Sequence, residues 1–84
     1  MGVGVKFFHS LRQRTDRDTI VIEAEDVGSM LAAIQYPLKL TALPTLENDV
    51  VVFKNNVNVQ LLGGVDAPLF EEDWVAVFPK VTRT

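Results

Sequence analysis

The stretch Trp74-Val75-Ala76-Val77-Phe78 offers water no polar side chain on either face, and Pro79 and a short polar tail follow it at once. As a strand it puts Val75 and Val77 on one side and Trp74, Ala76 and Phe78 on the other. If the valines face a core, the other side is either closed over by loops or left as an exposed apolar patch that docks a partner. Phe8, on an earlier strand, falls on that same outer side.

The rest of the chain builds the layer that receives this strand. Residues 3 to 8, VGVKFF, alternate with Val3, Val5 and Phe7 on one face. A polar stretch from Arg12 to Asp18 reads as a surface turn, and TIVIEAE, residues 19 to 25, alternates again to complete a hairpin. Asp26 is suited to cap the first turn of a helix. Met30, Leu31 and Ile34 then recur at helical spacing. Pro37 should stop that helix by disfavouring α geometry at Tyr36, which predicts a helix over 27–36. Leu38, Leu40, Leu43 and Leu46 form an irregular, partly buried connector around Pro44. DVVVFK, residues 49 to 54, is a strand, Asn55-Asn56 a turn that tolerates positive φ, and VNVQLL, residues 57 to 62, the return strand. Gly63-Gly64 breaks it, and Glu71-Glu72-Asp73 leads into the closing strand. The expected fold class is α+β: a mixed sheet of about five strands with one main helix across one face.

Length and composition exclude several functions. A chain of 84 residues has room for one core and buries roughly 60–65% of its unfolded surface. Residues 1–84 are therefore expected to form a single domain, with 79–84 as its C-terminal tail. Eleven acidic against eight basic residues leave a net charge of −3, the wrong sign for general nucleic-acid binding. Without cysteine there is neither a disulfide nor thiolate chemistry. With no signal-peptide pattern and no spanning apolar run, a soluble cytoplasmic protein is expected.

Catalytic candidates are few. His9 is the only histidine, so no site can be assembled around several, a structural or surface role outweighs a catalytic one, and no catalytic residue, metal ligand or cofactor is assigned. Arg12, Arg14 and Arg17 could meet an acidic partner or a phosphate, or form a solvated loop balanced by Asp16 and Asp18. Glu71, Glu72 and Asp73 could pair with a basic surface or be ordinary turn material. GVGV and LLGGV lack the spacing of phosphate-binding loops.

Three stretches taken in order resemble a known family: VKFFxSLR at Val5 to Arg12, the YPL at Tyr36 to Leu38 that ends the helix, and D-x-V-A-x-F-P-x-V at Asp73 to Val81. They are similar to the β-grasp sulfur carriers of the ubiquitin-like superfamily, and most of all to the small subunit of molybdopterin synthase. The resemblance implies a ubiquitin-like β-grasp fold and a role as protein substrate in molybdenum or tungsten cofactor biosynthesis. It implies two partners, a large synthase subunit and an ATP-dependent activating (adenylating) enzyme. The C-terminal carboxylate would carry sulfur as a thiocarboxylate. On that pattern Val81, Thr82, Arg83 and Thr84 form the sulfur-carrying tail, and Phe8, Trp74, Ala76, Phe78, Pro79 and Lys80 bind the partner. Such carriers end in Gly-Gly, whereas aligning FPxV puts Arg83 and Thr84 at those places, and Lys80 stands where a second proline is common. The alternative is a β-grasp interaction module that has lost the sulfur chemistry.

Overall fold

The computed structural model describes residues 2–8, 11, 13, 15 and 18–80. Five strands and one α-helix follow in the order β1 (Val3–Phe7), β2 (Thr19–Ile22), α1 (Val27–Gln35), β3 (Val50–Lys54), β4 (Val57–Asn58) and β5 (Trp74–Pro79). The strands form one sheet in the spatial order β2-β1-β5-β3-β4. β1 and β5 run parallel at its centre, with Val5 opposite Val75 and Phe7 opposite Val77. The other pairings are antiparallel, so the sheet is mixed, as expected.

One face of the sheet carries Val3, Val5, Phe7, Val50, Val52, Val75 and Val77, all buried against Val27, Met30, Leu31 and Ile34 of the helix. Alternation along each strand selects these residues, and the i, i+3, i+4, i+7 spacing along α1 supplies the matching stripe. Leu38, Leu46 and Leu11 close the ends of this core, while Leu43 stays half exposed.

The helix begins as its sequence predicts. Asp26 is extended, and its carboxylate accepts from the Ser29 amide at 2.8 Å. It ends differently. Tyr36 keeps α geometry (φ −68°, ψ −53°), so Pro37 does not act through the residue before it. Pro37 instead lacks the N–H that would reach the Ala33 carbonyl. Leu38 still donates to Ile34, and the reversal falls at Lys39, whose φ is +57°. Leu40 then donates back to the Gln35 carbonyl, a 6→1 closure of the helix end.

Two strand expectations need correction. β2 stops at Ile22, the last residue paired with β1; three residues on, the Leu69 amide donates to the Glu25 carbonyl, and Asp26 bridges Pro68. The return strand predicted over 57–62 is only two residues long. Asn55 and Asn56 both hold positive φ (50° and 71°), which makes the tight β3–β4 hairpin turn. After Asn58 the chain leaves the sheet in a 3₁₀ turn over Val59–Leu61, capped by the Asn58 side chain accepting from the Gln60 amide. Val59 points into the core while Val57, Leu61 and Leu62 are exposed, so the apparent alternation of VNVQLL is not a strand's. β5, in turn, runs one residue further than expected, through Pro79 opposite Val50.

The loop that delivers β5 is held by Asp73. Its carboxylate accepts from the Phe70 amide (2.8 Å) and the Asn55 side-chain amide (3.0 Å), and lies 3.3 Å from the Lys54 ammonium. Lys54 also donates to the Pro68 carbonyl and sits over the Phe70 ring. Asn55 completes the clamp by accepting from the Trp74 amide. Partial burial raises the Asp73 carboxyl, but the Phe70, Asn55 and Lys54 contacts outweigh it and hold it below its ordinary 3.8. Asp73 is thus turned inward, whereas Glu71 and Glu72 are exposed.

Leu31→Asp buries a charge in a core that has no polar partner for it. It should cost at least about 3 kcal/mol and lower the melting temperature by more than about 10 °C, read by circular dichroism. A carboxyl held low contributes stability in full above 3.8 and loses it as pH falls through the lower folded-state value. Asp73→Asn should therefore lower the urea midpoint at neutral pH, with the gap to wild type closing as pH drops below 3.8.

Candidate functional site

Because the helix takes one face of the sheet, strand alternation leaves Gly4, Lys6, Val21, Val51, Phe53, Trp74, Ala76 and Phe78 on the other. Register brings them together: Gly4 lies opposite Trp74, Lys6 and Phe53 flank Ala76, and Val51 lies opposite Phe78. Phe8 follows β1 directly, and its amide donates to the Val77 carbonyl.

The rings form an ordered cluster. Phe8 and Phe78 stack at 4.4 Å with 11° between their planes, and Phe53 meets Phe78 edge-on at 5.7 Å. The Lys6 ammonium stands 5.3 Å above the Phe8 ring. Beyond Ala76, the Trp74 indole lies flat across Gly4 and remains 58% exposed. A Cβ at position 4 would come within 2.8 Å of that indole, so glycine there is what lets the ring lie down on the sheet. Arrangements of this kind carry aromatic contact energy beyond area alone.

All four predicted face residues, Phe8, Trp74, Ala76 and Phe78, thus share one surface, which no described helix covers, and three of them are half-buried. Phe53, Val51, Lys6 and Val21 belong to the same face and were not singled out from the sequence. The odd–even parity of VVVFK carried the signal for Phe53, which alternates against the buried Val50 and Val52.

At the end of β5 the remaining two predicted residues have a different setting. Pro79 is half-buried inside the strand, and the Lys80 amide donates to the Asp49 carbonyl at 2.9 Å. The Lys80 ammonium donates to the Glu47 carbonyl at 2.6 Å and reaches that of Leu46 at 3.4 Å. The receiving turn is itself braced, since Asp49 accepts from both the amide and the hydroxyl of Thr45. Lys80 therefore fastens the exit of β5 to the turn over residues 46–49. The tail residues Val81, Thr82, Arg83 and Thr84 lie outside the described residues, as do His9, Arg12, Arg14, Asp16 and Arg17.

What this surface can do chemically is bind: among the described residues it offers apolar area, ring faces and the Lys6 ammonium. Among the described residues no group of three His, Cys, Asp or Glu side chains could hold a metal ion. No helix there is long and apolar enough to cross a membrane.

Comparison with known proteins agrees with this architecture. No curated protein sequence matches the chain significantly. Among solved structures, a putative molybdopterin converting factor subunit 1 from Pyrococcus furiosus superposes with a TM-score of 0.76 at 26% identity, covering 94% of this chain and 97% of that one. A chain of the Amycolatopsis orientalis BexX/CysO complex gives 0.75 at 19%, covering 98% and 99%. One from the complex of subunits 1 and 2 of the Helicobacter pylori molybdopterin-converting factor gives 0.67 at 21%, covering all of both chains. The ThiS family profile matches residues 5–82, nearly the whole β-grasp sheet and helix, and the chain belongs to the ThiS family, among the β-grasp sulfur carriers that its closing segment resembles.

Proposed function

We propose that this chain is a sulfur-carrier subunit of the molybdopterin-synthase type, a protein substrate rather than an enzyme. One observation carries the reading: β5, apolar on both faces, lays its outer side into an aromatic surface and leads directly to the C-terminal segment. The likeness to a putative molybdopterin converting factor subunit at 26% identity supports the pterin branch.

In this reading Phe8, Trp74, Ala76 and Phe78 dock a larger synthase subunit, with Pro79 and Lys80 setting where the tail leaves the sheet. The docked carrier presents its tail, Val81 to Thr84, to that partner. An adenylating enzyme first joins the terminal carboxylate to the α-phosphorus of ATP and releases pyrophosphate. Hydrosulfide from a sulfur donor then attacks the acyl carbon, the C–O bond to AMP breaks, and AMP leaves a thiocarboxylate behind. The carrier supplies no acid, base or metal to either step; its contribution is position. The second reading, a β-grasp interaction module without sulfur chemistry, is motivated by Arg83-Thr84 at the place of the two glycines. Side chains there narrow the fit to any channel shaped for glycine.

Incubation with a cognate activating enzyme, ATP and a sulfur donor should raise the intact mass by one oxygen-for-sulfur exchange. An unchanged mass removes the carrier activity and leaves the module. Phe78→Asp should weaken binding to the large subunit by about 100-fold or more, measured by calorimetry, because it places a charge at the centre of the ring cluster. Deleting Val81 to Thr84 separates the readings: the carrier loses partner affinity as well as sulfur loading, whereas the module binds as before.

A further inference from the structure

The two edges of the sheet are built differently. β4, at one edge, is two residues long and turns out of the sheet into the capped 3₁₀ turn. β2, at the other, is a regular four-residue strand, Thr-Ile-Val-Ile, without a bulge in its pairing to β1. It carries none of the usual guards of an open edge: no proline, no lysine, no break in register. At its centre Val21 is 71% exposed, and Ile20 and Ile22 are only half covered by the core.

The hydrogen-bonding sense of this edge follows from one contact. Phe7 donates to the Asp18 carbonyl, which makes Phe7 and Asp18 a hydrogen-bonded pair in the antiparallel ladder. By alternation Val5–Ile20 and Val3–Ile22 are also bonded pairs. The N–H and C=O groups of Thr19 and Val21, and the N–H of Glu23 just past the strand, therefore point away from the sheet, and no described residue pairs with that side of β2.

These outward groups are self-complementary. We propose that β2 pairs antiparallel with β2 of a second copy, about a two-fold axis passing through Val21. In that register Thr19 faces the second copy's Glu23, Val21 faces Val21, and Glu23 faces Thr19. The Val21 pair exchanges both of its backbone hydrogen bonds, and at either end the Glu23 N–H donates to the Thr19 carbonyl of the other copy. On the outer face the cross-strand contacts are valine on valine at the centre, with a threonine hydroxyl against a carboxylate at either end. On the inner face Ile20 lies opposite Ile22 in both senses, covering the side chains that the core leaves half exposed. No like charges stand opposite one another across the described strand. Shifting the register by two residues either way drops one of the three bonded pairs within Thr19–Glu23. The result is a ten-stranded sheet whose two aromatic faces lie on the same side, with each β5 two strands from the new seam.

Sedimentation velocity over a concentration series tests this directly. The wild-type weight-average mass should rise above 9.3 kDa towards twice that value, and Val21→Lys, at an exposed position that leaves the fold intact by circular dichroism, should stay at 9.3 kDa. The chain has no cysteine, so a second reading comes from cross-linking. Facing Cα atoms about 5.5 Å apart are within disulfide range. Under mild oxidation Val21→Cys should give at least tenfold more disulfide-linked dimer than Val57→Cys on the opposite edge. Phe78→Asp should leave the association unchanged. A mass fixed at 9.3 kDa up to millimolar protein, or equal cross-linking at the two edges, overturns the proposal and leaves the edge to a strand from another protein. Association abolished by Phe78→Asp but not by Val21→Lys overturns it too, by assigning contact to the aromatic face.

Discussion

Everything else in this structure depends on the parallel pairing of β1 with β5 at the centre of the sheet. The strands lie about seventy residues apart in sequence, and their pairing closes a long loop whose entropic cost must be repaid by burial. The return comes from Val3, Val5, Phe7, Val75 and Val77, all at 2% exposure or less, which meet the helix stripe across a single apolar layer. Parallel strands need a crossover between them, and here it contains the helix, the β3–β4 hairpin and the 3₁₀ turns. The helix has only one place to lie, over the inner side of the paired strands. Among the described residues, the outer side is left without a layer of its own.

That division of labour explains why β5 can be apolar on both faces without being a folding error. Its inner residues are held by the core, while its outer residues join with β1 and β3 to cover one another. Phe8 on Phe78 and Phe53 against Phe78 form a thin layer one ring deep. Such a surface is stable in water because the rings shield each other's faces, yet it keeps enough exposed area, Trp74 above all, for a second protein to gain by covering it. Rigid rings already in position lose little freedom on binding, which favours contact over reorganisation.

The sequence made much of this legible. Alternation in VGVKF, TIVI, VVVFK and WVAVFP assigned both the strands and their inner faces, and Asp26 marked the start of the helix. Because parity is fixed once one face is known, the outer placement of Phe8, Trp74, Ala76 and Phe78 followed as well. Where pattern misled, local structure had overridden it: Asn58 caps a 3₁₀ turn in VNVQLL, and Tyr36 keeps α geometry before Pro37 while the reversal falls at Lys39. The contribution of Phe53 to the ring cluster depended on β3 lying beside β5, which is a fact of topology and not of pattern. Asp73 looked like turn material or a partner contact, and its clamp could not be read in advance because Asn55 and Lys54 are eighteen and nineteen residues away.

The grip of Lys80 on the carbonyls of Leu46 and Glu47 has a mechanical consequence. It fixes the chain beyond the sheet, on the far turn, so that Lys80 is a peg from which the reach of the chain can be counted. Each residue beyond the peg adds at most about 3.3–3.6 Å of reach. The greatest distance from the peg to any later residue is therefore metered residue by residue, and loosening that one ammonium would move the peg back into the sheet.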